Sequence, residues 1–242
     1  LGHLVWIEDF LGDGFGSAPW LALSVVEGLY VALACACATV VQRLPAAPVW
    51  MAALWVGQET LRSSFPLNGF PWGRVAFGHP SGAFTSLASV GGAPLVSFAV
   101  TLCGFGIAWL LVRIRHREVR VVPAVACAVV PLLAGVAVWP AVGVEPTRGE
   151  VTVAVVQGNA PDIGLRLLGA REEIRANHLA TSERLADDLA SGRIAQPDLI
   201  IWPETATGLA GPDPELDRLV DRFDAPTLIG ALYTRPDGLS EN

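Results

Sequence analysis

Four long apolar runs, at about residues 20–41, 46–61, 83–112 and 119–144, limit what this chain can fold into more than any other feature. A helix needs roughly 20 apolar residues to cross the ~30 Å hydrocarbon core of a bilayer, and these runs approach or exceed that length. The chain as a whole is 52% hydrophobic and 16% charged, with a mean hydropathy of +0.48. A soluble domain carries about a quarter of its residues charged, so the apolar excess must find lipid or a partner. The second run carries Gln58 and Glu59 near one end. It is expected to span with that polar end at the interface or in a cavity, a buried helix of a soluble domain being the alternative. Glu27 poses the same question in the first run. Beyond about residue 145 the texture changes to mixed polar and apolar, which divides the chain into a helical membrane region, 1–147, and a polar domain, 148–242.

Short cytoplasmic loops collect basic residues. Arg113, Arg115, Arg117 and Arg120 crowd the connection between the third and fourth runs, and Arg43 follows the first. With those loops inside, residues 62–80, the acidic start with Glu8, Asp9 and Asp13, and the polar domain all fall outside the membrane. The 62–80 connector is rich in Gly, Pro and aromatics, including Phe65, Phe70, Trp72 and Phe77. It reads as an aromatic belt at headgroup depth or as a floor and lipid entrance for the polar domain.

The net charge is −7 and the acids gather in the polar domain, which argues against nucleic acid as a partner. All 16 basic residues are Arg; there is no Lys, so a step needing an amine side chain is closed to this chain alone. Cys35, Cys37, Cys103 and Cys127 all sit in apolar runs without metal-ligand spacing and are expected to pack as small hydrophobes.

Within the polar domain, 151–157 reads as a β-branched strand and 158–162 as a turn. A helix is expected over 166–189, a strand over 199–202, a helix over 214–223 and a strand over 226–233. This β-α-β-α-β series implies an α/β layered sheet, with sites in the loops after strand ends. Glu204 follows the apolar strand directly, after Trp202 and Pro203. It is a candidate general base, or simply an acid placed before a helix N-terminus. His178 lies on a charged helix and is expected to face solvent, while Gln157, Gly158 and Asn159 could pin a turn.

Three motifs then occur in order: GFPWGRVAFGHPSG between apolar runs, VTVAVVQGNAPD opening the polar domain, and PDLIIWPETA about forty residues later. Together they resemble the apolipoprotein N-acyltransferases, along most of the chain. The resemblance implies a nitrilase-like α-β-β-α domain outside the bacterial cytoplasmic membrane, on a multi-pass helical base. It implies transfer of a fatty acyl chain from a membrane phospholipid to the N-terminal amine of a diacylglyceryl-cysteine apolipoprotein, through a thioester. Partners would be the phospholipid donor, the apolipoprotein acceptor and the bilayer, with no metal or diffusible cofactor. Glu204 matches the Glu of the Glu, Lys and Cys set used by nitrilase-like enzymes, with the role of general base. Pro71 and Trp72 are candidates for the lipid approach, where acyl chains would otherwise be dragged through water at about 0.8 kcal/mol per CH₂.

The chain departs from the family pattern in four respects. The family's Lys and nucleophilic Cys lie beyond the Glu, and the sequence stops at Asn242 before either. The segment DIGLRLL lacks a Trp that family members often carry after the QGN turn, and the family has further helices before and after. With Leu1 rather than Met at its start, the chain is expected to be cut at both ends and inactive by itself. Two rival readings are a membrane-tethered nitrilase-type amidase and a non-catalytic anchor that binds a partner enzyme; the downstream codons would separate them.

Overall fold

A computed structural model of the chain describes residues 2–11, 15–143, 148–160, 170–209, 211–234 and 240–241. It resolves into two compact units, Leu1–Val5 with Ser17–Glu145, and Trp6–Gly16 with Pro146–Asn242.

The first unit contains four helices: α2, Ala18–Val41; α3, Ala47–Arg62; α4, Ala88–Arg115; and α5, Val122–Val138. A short helix α1, Trp6–Leu11, precedes them in the chain. Among the described residues, three helical stretches are long and apolar enough to cross a membrane: Ala18–Val41, Thr85–Arg115 and Val122–Ala141. The fourth expected span is a helix, α3, but its 16 residues reach only about 24 Å at 1.5 Å per residue, and its last turn is polar. The start of α4 is broken at Gly91 and Gly92, where Gly92 adopts φ 62. Pro94 then fits the first turn of the helix that continues to Arg115.

Apart from Val96, two prolines and the polar set Gln58, Glu59 and Arg62 at the end of α3, the side chains buried in these helices are small: Ala34, Ala52, Ala99, Ala124 and Ala128, with Ser97. Large apolar side chains point outward, among them Leu29, Val40, Leu111 and Leu133. Small residues at helix contacts let backbones approach, as packing in lipid requires. The α5 crossing shows how close: a Cβ added at Gly135 would lie 1.9 Å from the Ala83 carbonyl oxygen. Ser86 Oγ donates to the Gly135 carbonyl and Cys103 Sγ to Ala128 O at 3.0 Å, fastening α5 to its neighbours. Cys35, by contrast with the expected core packing, is exposed on α2.

The second unit carries a four-stranded sheet in the order β1-β2-β3-β4. The strands are β1, Val153–Val155; β2, Leu199–Leu209; β3, Thr227–Thr234; and β4, Ser240–Glu241. The first three are mutually parallel and β4 runs antiparallel to β3. Helix α6, Arg171–Ala190, connects β1 to β2, and α7, Pro214–Val220, connects β2 to β3. The expected alternation is therefore present; the start of the long helix, expected at 166, falls partly outside the described residues. The strand expected over 151–157 shortens to three residues, although Val156 N still donates to Ile201 O at 2.9 Å.

Both helices cover one face of this sheet. Val156, Leu179, Ala186, Ile200, Trp202, Ala206, Leu216, Leu219 and Phe223 form its core. Asp213 caps α7 by accepting Leu216 N at 3.1 Å, and Arg175 of α6 grips the same carboxylate at 2.8 and 3.0 Å and Glu215 at 2.8 Å. Burial works to raise the Asp213 carboxyl, but the Arg175 hydrogen bond and the Leu216 amide hold it below the usual range.

Candidate functional site

Glu204 is not in a loop after its strand, as the sequence suggests, but on a bulge within it. Trp202 pairs with Ile229 and Thr207 with Ala231, so the four residues from Pro203 to Ala206 stand opposite Gly230 alone. The extra residues must leave the plane of the sheet, and Glu204 rides on the part that does, exposed. A side chain at 230 would obstruct this arrangement, because a Cβ there would lie 2.2 Å from the Pro203 carbonyl oxygen. Thr205, directly after the carboxylate, is held at φ +58, a conformation that costs a β-branched residue free energy and collects at functional sites.

The base of the bulge is fixed from below. Trp202 is 2% exposed, and its indole Nε1 donates to Ser182 Oγ of α6 at 2.9 Å. The His178 ring lies against it, centroids 5.3 Å apart. The reading of His178 as solvent-facing is therefore wrong: it is 3% exposed. It belongs to the stripe Ile174, His178, Ser182, Leu185 that packs on β2, and its Nδ1 donates to Ile174 O at 2.7 Å. Nε2 is buried without a partner.

Above these groups lies a cavity of about 220 Å³. Glu204, Pro203 and Thr205 form one wall, Gln157 and Asn159 of the turn after β1 another, and Arg171, Ile174 and His178 of α6 the third. Asn159, at φ 65, is a second non-glycine residue in the left-handed region here. The cavity lies past the C-terminal end of β1, the side of the sheet on which α/β folds place their ligands, and against the mid-strand bulge of β2. Gln157 and Asn159, expected only to pin a turn, thus share a cavity with Glu204, and Arg171 and His178 were missed. The helical spacing of His178 with Ile174 and Leu185 was the signal that placed it inward.

Pro71 and Trp72 belong to the first unit, in the connector after α3, and both are exposed. Phe70 stacks on Trp72 at 5.7 Å, and Trp72 with Phe77 lines a cavity of about 590 Å³. Helix α3 anchors this connector. Arg62 Nη1 donates to Trp72 O at 2.8 Å, Phe70 N to Arg62 O at 2.8 Å, and Val75 N to Glu59 Oε1 at 2.8 Å. No group of three or more His, Cys, Asp or Glu side chains converges as a metal site among the described residues.

Residues 1–106 match the family described as the apolipoprotein N-acyltransferase N-terminal domain. The chain is 40% identical over 254 aligned residues to the apolipoprotein N-acyltransferase of Mycolicibacterium smegmatis, covering 97% of this chain and 42% of that protein. It is 38% identical over 159 residues to the protein of that name from Azotobacter vinelandii, covering 64% of this chain and 28% of the relative. For Pseudomonas putida the identity is 28% over 222 residues, covering 83% and 40%. The chain thus spans less than half the length of these curated relatives. Over the part that it spans, the chain resembles the apolipoprotein N-acyltransferases, and its first 106 residues match their N-terminal domain.

Proposed function

We propose that the gene product containing this chain transfers a fatty acyl group from a membrane phospholipid to the N-terminal amine of a diacylglyceryl-cysteine lipoprotein. The observation that carries the reading is Glu204, lifted out of β2 by a mid-strand bulge into the wall of a cavity that opens past the end of β1. The similarity to proteins named for that reaction supports it.

In this reading Glu204 is the general base of a two-step exchange whose nucleophilic Cys and Lys are supplied by sequence beyond residue 242. Glu204 accepts the thiol proton as sulfur attacks the lipid ester, and the proton passes to the leaving lysophospholipid oxygen. In the second step Glu204 takes a proton from the acceptor ammonium and releases it to water, the amine attacks the thioester, and as the carbon–sulfur bond breaks the nitrogen's second proton passes through Glu204 to the departing sulfur, restoring the thiol. Rigidity at the bulge suits a base that must serve both steps in one position.

The fold is read as one half of a nitrilase-like α-β-β-α sandwich. One sheet face is covered by α6 and α7; the other, with Val153, Val155 and Leu228 at 41, 67 and 60% exposure, is apolar and uncovered among the described residues. A second sheet contributed by the remainder of the gene product would bury it. The chain is read as multi-pass in the bacterial cytoplasmic membrane with the polar unit outside, on the Arg113 to Arg120 loop. Trp72 and Pro71 are read as part of the donor's approach, from their exposure beside an apolar recess.

In the whole gene product, Glu204→Gln lowers the turnover of a diacylglyceryl peptide by about 10²- to 10⁴-fold, the range for losing a general base. Wild-type turnover in that variant would defeat the role. Trp72→Ala raises the KM for phospholipid with a smaller change in kcat; unchanged donor kinetics would remove Trp72 from the site.

A further inference from the structure

The cavity beside Glu204 contains a buried titratable group that the two-step exchange leaves unused. His178 is 3% exposed and lines this cavity with Glu204, Gln157, Asn159 and Arg171. Its place on the stripe of α6 that packs on β2 would suit a leucine, which has no polar atom to desolvate. An imidazole there has to be accounted for by what its nitrogens do.

Three contacts fix the ring. Nδ1 lies 2.7 Å from Ile174 O, a group that can only accept, so Nδ1 carries the proton and Nε2 the lone pair. Trp202 packs against it with the ring centroids 5.3 Å apart. The turn after β1 closes on it as well: a Cβ added at Gly158 would lie 2.5 Å from Nδ1, so a glycine is what makes room for the imidazole. Nε2 is left buried with no hydrogen-bond partner. A desolvated acceptor is destabilising until a donor meets it, and a polar cavity of this size has room for water. The charged groups that line the cavity among the described residues are Glu204 on β2 and Arg171 on α6; the turn after β1 brings the neutral Gln157 and Asn159, and Arg175 is taken up by Asp213 and Glu215.

Resting on the reading of Glu204 as the base of acyl transfer, we propose that His178 stores the proton that Glu204 must shed during the second step. In the first step the thiol proton goes on to the lysophospholipid oxygen, and the carboxylate is restored without help. In the second, nitrogen gives up two protons and the departing sulfur needs only one. Glu204 therefore has to be emptied of the first before it can take the other, while the acceptor covers the cavity. That proton passes from the Glu204 carboxyl through a water to His178 Nε2, giving an imidazolium that still donates from Nδ1 to Ile174 O. It returns to solvent when the product leaves, so His178 ends each turnover as it began. His178 acts through Glu204 and touches neither substrate.

The two steps are separated to test this. The whole gene product in mild detergent is loaded from phospholipid, then mixed with a diacylated peptide bearing a free N-terminal amine, and the acyl-enzyme is followed by intact mass through one turnover. His178→Asn keeps a donor for Ile174 O and removes the Nε2 acceptor; His178→Gln offers an amide that can hold a water but cannot take its proton. Both variants acylate near the wild-type rate, and both pass the chain to the peptide at least about tenfold more slowly at about pH 7. The deficit narrows at about pH 9, above the ordinary α-amino pKa of about 8, because the peptide then arrives without the proton that has to be stored. Wild-type transfer in either variant overturns the role. So does an equal loss in both steps, or a deficit of the same size at both pH values, which a ring that only supports the bulge would give. A wild type that forms no acyl-enzyme overturns the acyl-transfer reading, and the storage role with it.

Discussion

The two units of this chain are built on opposite rules for where large side chains go. The helical unit buries mostly Ala, Gly and Ser, with Leu87 and Val96 among its few large buried apolar side chains, and turns Leu29, Leu111 and Leu133 outward; the sheet unit buries Ile200, Trp202, Leu219 and Phe223 under its helices. In lipid there is no gain from moving a leucine inward, so close backbone approach and interhelical hydrogen bonds decide the packing. In water the gain from apolar burial dominates. Polar groups differ in the same way. The helical unit buries Gln58, Glu59 and Arg62 together at the end of α3, whereas the sheet unit displays Glu204 on a strained bulge above a core that is apolar but for His178, Ser182 and Thr207.

Substitutions that are equal on paper should therefore have unequal effects. Leu219→Ala, in the sheet unit's core, costs about 2 to 5 kcal/mol, read as loss of a cooperative unfolding transition at lower temperature. Gly135→Ala adds a single carbon yet forces α5 from the Ala83 carbonyl, at about 1 to 3 kcal/mol, measured by thermal unfolding in detergent. Asp213→Ala removes the cap of α7 and a partner of Arg175, costing about 1 kcal/mol at neutral pH. The Asp213 carboxyl titrates lower folded than unfolded, so its contribution is full above the ordinary carboxylate pKa and fades as pH falls through the depressed value. The wild type and Asp213→Ala thus converge in stability in acid. Leu111→Ala, on the outward face of α4, changes stability by less than about 0.5 kcal/mol; a core-sized loss there would mean that the outward face is buried by a partner and would break the comparison.

Much of this division was legible in the sequence, because both rules leave local periodic traces. The apolar runs gave α2, α4 and α5 to within a few residues, and alternation with turn residues gave β2, β3, α6 and α7. Gln58 and Glu59 announced a polar end to α3, and they line a cavity. What local pattern could not show is anything fixed by a neighbour. The bulge depends on how many residues of β2 stand opposite Gly230, which is a property of two strands together. His178 was misjudged because its charged neighbours outweighed its own place on the apolar stripe of α6. The unpaired Nε2 of that ring is visible only once α6 packs on the sheet.

The role assigned to Glu204 is tested most directly at the first chemical step. The whole gene product, wild type or Glu204→Gln, is mixed with phospholipid without acceptor, and acyl-enzyme is followed by intact mass over time. The wild type accumulates a hydroxylamine-sensitive adduct of one acyl chain, and Glu204→Gln forms it at least about a hundredfold more slowly. An adduct that appears at the wild-type rate in Glu204→Gln would contradict the assignment of this carboxylate as the base.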